Sequence, residues 1–84
     1  MGLPSQPVTL SAAQIEELNR KLSAMRHDIN NNLSLIIAAA EMVRFKPDLI
    51  NKMMDTLNQQ PERIAKSMSL FTEEFEKTMG ISRP

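Results

Sequence analysis

Cysteine, tryptophan and tyrosine are absent from this 84-residue chain, and glycine occurs only twice. Without cysteine there is no disulfide framework and no thiolate metal site, a composition that fits a reducing cytoplasm. Gly2 and Gly80 stand too far apart to build a glycine-rich loop around a nucleotide's phosphates. Neither sign of charge dominates. Ten basic and ten acidic residues give a formal net charge of zero, so the basic bias of a nucleic-acid binder is missing. Long hydrophobic runs are missing too. The longest, LIIAAA at 35–40, falls far short of the ~20 residues of a membrane span. MGLPSQPVTL lacks the charged start and apolar middle of a secretory signal, and Gln6 stands where a myristoylated chain would carry Ser or Thr. At this length the chain is at most one small domain, and one that struggles to bury enough surface alone.

What is present is helical. Seven methionines against three phenylalanines point to a core of aliphatic and thioether side chains. Residues 1–10, with Gly2, Pro4 and Pro7, read as a flexible, extended leader. Ser11 followed by Gln14 matches a capping box, with Leu10 and Ile15 placed as a hydrophobic staple. From there apolar residues recur at 15, 18, 22, 25, 29, 33, 36, 40 and 43, at the helical spacing of three and four. A first helix is expected over about 12–44. Pro47 disfavours helix at Lys46 and suits the first turn of a new one. A second helix is expected over about 48–79, with apolar positions at 50, 53/54, 57, 64, 68, 71, 75 and 79. Gly80 is its stop, and 81–84 are a tail. Pro61 leaves two readings: one kinked helix, which the matching apolar registers favour, or two shorter helices split at 59–61.

The fold class that follows is all-α, a long antiparallel helical hairpin over 11–80. One apolar stripe per helix cannot enclose a core. Two hairpins can, so a homodimeric four-helix bundle is expected. A monomeric three-helix bundle broken at Pro61 is the competing solution.

The segment AMRHDINNNLSLI (24–36) stands out. It holds the only histidine, followed by Asp28 and by Asn30, Asn31 and Asn32. Asparagine is a mediocre helix former, so three in a row need a reason. At 100° per residue His27 lies about 175° from the centre of the apolar stripe, facing outward. Arg20, Ser23, Asn30, Asn31 and Ser34 share that sector, with Ile37 and Ala38 one turn on as a modest exposed patch. Small, polar surroundings of this kind suit close docking of another protein. A solitary exposed histidine on a helix is in itself ordinary. The added features are Asp28 beside it and Asn31 one turn on.

Here the chain resembles the H-box of sensor histidine kinases, in which His is followed by Glu or Asp, two variable residues, then Asn or Thr. The match reads His27, Asp28, Ile29, Asn30, Asn31. PERIAKSMSLFTEEFEKTMG (61–80) resembles the second helix of the same dimerisation and histidine-phosphotransfer domain, and the resemblance covers about residues 15–80. Where many members bend helix 1 at a proline, this chain has Asn32. Pro61 is a second departure, and hairpin counting sets residues 61–66 beside His27. The resemblance implies a phosphoacceptor and dimerisation module of two-component signalling in the cytoplasm. His27 would take a phosphoryl group from ATP, or exchange it with a response-regulator aspartate. An imidazole of ordinary pKa near ~6.5 is nucleophilic at cellular pH. Asp28 would act as general base or hold the ring's tautomer. Asn31 would hold a water for dephosphorylating a partner. Arg20, Ser23, Ser34, Ile37 and Ala38 would meet the partner. ATP and magnesium would come with a separate catalytic domain or a receiver. No metal site, cofactor, nucleic acid or membrane contact is expected of the chain itself. It would be a domain of a histidine kinase or a stand-alone phosphotransfer protein, and in neither case a complete kinase. A structural or adaptor bundle with an incidental histidine is the alternative. An amphipathic membrane-surface helix is a third reading, disfavoured by the mixed charge of the polar faces.

Overall fold

The structure is a computed structural model, and it describes residues 3–81. Met1, Gly2 and tail positions 82–84 lie outside the described residues. Ser11 opens the first helix in extended geometry (φ −73°, ψ 161°). Its Oγ accepts from the Gln14 N–H at 3.1 Å, and Gln14 Oε1 accepts from the Ser11 N–H at 2.9 Å. The capping box read from sequence is therefore formed. With no glycine or proline to stop it, helix α1 runs Ala12–Phe45. Lys46 takes the extended conformation that a following proline imposes (φ −135°, ψ 86°). Pro47–Leu49 make one 3₁₀ turn, and helix α2 runs Ile50–Met79. That turn takes the residues expected to begin α2, so α2 starts two positions later. Gly80 ends it in the left-handed region (φ 68°), where only glycine is free of steric penalty. The Ile81 N–H then closes on the Glu76 carbonyl at 2.8 Å.

Helix α2 continues through Pro61. The single-helix reading holds, and the described chain has two helices where a three-helix bundle needs three. Proline supplies no N–H, so the Leu57 carbonyl loses its intrahelical donor. One residue away, the Gln60 side-chain amide donates to the Thr56 carbonyl at 2.9 Å.

The helices pack antiparallel, crosslinked near their open end by Lys21 Nζ and Glu74 Oε2 at 2.7 Å. The inward positions of α1 are Leu18, Leu22, Met25, Ile29, Asn32, Ile36, Ala39 and Val43, all buried or half-buried. On α2 they are Met53, Leu57, Gln60, Ile64, Ser67, Phe71 and Thr78. Both series alternate gaps of four and three, or their sum, which is the 3.5-residue seam of paired helices. This corrects the expected stripe. Leu33 and Ala40 are exposed, and their neighbours Asn32 and Ala39 face inward. On α2, Met68 is 52% exposed and Ser67 takes the inner place. Ile15, expected inside, is exposed.

The molecule measures 57 × 28 × 12 Å. Its least dimension is the diameter of one helix, ~10–12 Å. Its radius of gyration is 18.0 Å, against ~12 Å for a compact chain of this length. Its accessible surface is 6597 Å², some 1,500 Å² above the ~5,000 Å² of a compact monomer of its mass. Ala39 is the one fully buried apolar residue among those described. The uncovered apolar surface lies on both faces of the hairpin and is more continuous on one. By helical spacing, Leu33, Ile37 and Ala40 of α1 share a face with Met54, Ala65 and Met68 of α2. The opposite face is mixed, with Asp28 and Asn31 across from Arg63 and Lys66 and with Leu35 and Leu70 exposed beside them.

Candidate functional site

The uninterrupted run of α1 carries His27 to the side turned away from α2, where it is exposed. The group that reaches it is Asn31, one turn on, as i,i+4 spacing dictates. The Asn31 amide nitrogen lies 3.4 Å from His27 Nε2, a long contact. An amide nitrogen can only donate, so a hydrogen bond here requires the tautomer with the ring proton on Nδ1 and the lone pair on Nε2. In that tautomer the lone pair that would attack an electrophile is on Nε2. Asp28 makes no hydrogen bond to the ring among the described residues. One residue along a helix is a rotation of ~100°, and this turns the carboxylate toward the groove between the helices. Asp28 lines that groove with Met25, Leu70 and Phe71 on one side, and with Asn31, Arg63 and Lys66 on the other.

Ser67 lies with Asp28 in both parts of the groove, so the level of α2 that faces His27's turn is Ser67–Leu70. The expectation that residues 61–66 sit beside His27 is corrected by about one turn. Pro61 lies roughly 9 Å from Ser67 along the helix, toward the connecting turn. Any bend it imposes falls below the histidine and not level with it.

The expected partner-facing residues Arg20, Ser23, Ser34, Ile37 and Ala38 are all exposed. They do not form one patch. Arg20 Nε donates to Glu17 Oε2 at 2.9 Å. This hydrogen bond holds the Glu17 carboxyl below the usual carboxylate range, and the same bond raises the Arg20 guanidinium. Arg20 is therefore already partnered within α1. Ile37 is 64% exposed, but it lies about 15 Å along α1 from His27 and belongs by spacing to the apolar face with Leu33. The carboxyl of Glu74 is likewise held low, first by its hydrogen bond from Lys21 and then by that residue's charge.

Two pairs of residues in and behind the groove were missed in the sequence. Arg63 and Lys66 on α2 face the groove. Their three-residue spacing opposite Asp28 was a legible signal once the helices were paired. The inward places of Asn32 and Gln60 were the other. Among the described residues no group of three or more His, Cys, Asp or Glu could hold a metal ion, and no helix is long and apolar enough to cross a membrane. Comparison of the chain with protein-family models, with curated proteins and with solved structures finds no match.

Proposed function

We propose that this chain is a dimerisation and histidine-phosphotransfer module of cytoplasmic two-component signalling. The observation that carries the reading is an exposed imidazole on the outward side of a long hairpin, with the Asn31 amide one turn on, 3.4 Å from its Nε2. In the reaction, Nε2 attacks the γ-phosphorus of ATP. The bond to the bridging oxygen breaks as the P–N bond forms, and ADP leaves with that oxygen. Positive charge appears on the ring, and Nδ1–H gives up its proton. Asp28 is the nearest carboxylate along the chain and would receive it after a side-chain rotation. Asn31 must swing off Nε2 before attack. Once displaced, its amide is free to position water against a partner's phospho-aspartate. Magnesium arrives with the nucleotide or the receiver, since phosphoryl transfer needs mainly positioning and charge stabilisation.

Dimerisation supplies the rest. The surface excess and the more continuous apolar face, with Leu33, Ile37, Met54 and Met68 exposed, call for a cover, and a second hairpin on that face yields a four-helix bundle. His27 points away from α2 and stays exposed in such a dimer. The test is labelling by a histidine-kinase ATP-binding domain with ATP, or by a phosphorylated receiver. The wild-type chain should take up acid-labile phosphate. His27→Gln should abolish the label and leave helicity and mass unchanged. Asn31→Ala should slow dephosphorylation of a receiver more than it slows acceptance. Label that survives His27→Gln, or its absence from the wild type with both donors, sinks the proposal and leaves an adaptor bundle.

A further inference from the structure

The middle of the hairpin is built differently from its ends. Towards the open end, Leu18, Leu22 and Met25 face Phe71 and Phe75, whose ring centroids lie 6.1 Å apart. Towards the connecting turn, Ala39 and Val43 face Met53 and Leu57. Between these apolar blocks the inward places alternate, with Asn32, Gln60 and Ser67 interleaved among Ile29, Ile36 and Ile64. Gln60 is 1% exposed, and its Oε1 is enclosed without a hydrogen-bond partner. Its Nε2 turns back to its own helix at the Thr56 carbonyl and does not cross to α1. Asn32 is 8% exposed and makes no side-chain hydrogen bond among the described residues. Pro61 adds a missing donor to the same stretch. Three features that weaken a helix pair therefore coincide: polar seam positions, an enclosed acceptor with nothing to accept, and a gap in the backbone ladder. The Lys21–Glu74 ion pair across the hairpin lies elsewhere.

From this coincidence we infer that the hairpin has a built-in opening point at Asn32–Gln60–Pro61, where the helices part locally while the apolar blocks on either side hold. In the closed form Gln60 Oε1 is desolvated and unpaired. In the open form water reaches it and the Leu57 carbonyl. Opening therefore relieves a penalty at Gln60 that offsets the exposure of Ile36 and Ile64, whereas at the flanking layers nothing offsets the lost apolar burial. Asn31 is the neighbour of Asn32, so the opening point adjoins the residue that bears on His27 Nε2. The device is a property of the seam, independent of what His27 does.

Hydrogen exchange of the full chain tests it. Amides of residues 30–36 and 58–65 should exchange about tenfold faster, or more, than those of the flanking blocks 20–26, 39–43 and 70–75. In the Asn32→Leu/Gln60→Leu chain the middle should become as slow as its flanks. Pro61→Ala, which restores the backbone donor and leaves the amides in place, should slow only the α2 part. Uniform exchange along the wild-type seam overturns the inference. So does a fast middle that stays fast in Asn32→Leu/Gln60→Leu.

Discussion

Replacing Gln60 by methionine should make this protein more stable, although it removes a hydrogen bond. Methionine matches glutamine closely in length and volume, so the packing around position 60 need not change. Two opposed terms decide the sign. The bond from Gln60 Nε2 to the Thr56 carbonyl, 2.9 Å long, has a net worth of ~0.5–1.5 kcal/mol. Against it stands Oε1, which is enclosed by this one chain and accepts nothing. Leaving a buried acceptor unsatisfied costs ~1–3 kcal/mol. The Thr56 carbonyl lies within the helix, where backbone donors surround it, so its loss of the side-chain donor is partial. The balance favours methionine by ~1 kcal/mol per chain, worth ~4–8 °C in the midpoint of a domain this size. A second hairpin laid on an outer face does not reach Oε1, so the sign is the same for monomer and dimer. Thermal unfolding followed by circular dichroism at 222 nm, at matched chain concentration, reads the effect. A midpoint lowered by several degrees would mean that Oε1 has a partner in solution, and the reasoning about the central seam would fall with it.

The apolar face gives a further prediction. Leu33→Glu with Met68→Glu should bring the mass by light scattering from about twice the 9.5 kDa chain to a single chain, with loss of helicity, because a hairpin one helix thick has little core of its own. A single-chain mass for the wild type would refute the dimer. Acid should weaken the crosslink at the open end. Folding lowers the Glu74 carboxyl, chiefly through its hydrogen bond from Lys21, so the carboxylate's stabilisation is present above the ordinary carboxylate range and is lost as pH falls through the lowered value. The stability difference between wild type and Glu74→Gln should therefore be small but measurable near neutral pH, as for exposed pairs generally. It should vanish in strong acid. A difference that persists unchanged at low pH would show that Lys21 does not act through the charge of Glu74.

The parts of this architecture set by short-range chemistry were readable in the sequence, and those set by helix pairing were not. Ser11 with Gln14, Pro47 after Lys46, and Gly80 each fix a boundary through a local backbone requirement, and each boundary falls within two residues of its expected place. The seam is different. Gaps of three and four fit a stripe through Leu33 and Ala40 as well as one through Asn32 and Ala39. An apolarity criterion selects the first, but packing of two long helices selects the second, because only a 3.5-residue repeat keeps facing its partner over such a length. The same criterion passed over Gln60, which is the most enclosed side chain of all. The site shows the same division. That His27 points outward follows from its angle on one helix, and it does. That Asp28 should serve His27 rests on adjacency in the chain, and a helix separates such neighbours by ~100° while stacking residues four apart. Asn31 is therefore the side chain that reaches the ring, and Asp28 turns to the groove. Any chemistry at this imidazole begins with displacing an amide, and the ease of that displacement depends on how firmly residues 30–32 of α1 are held by the polar seam behind them.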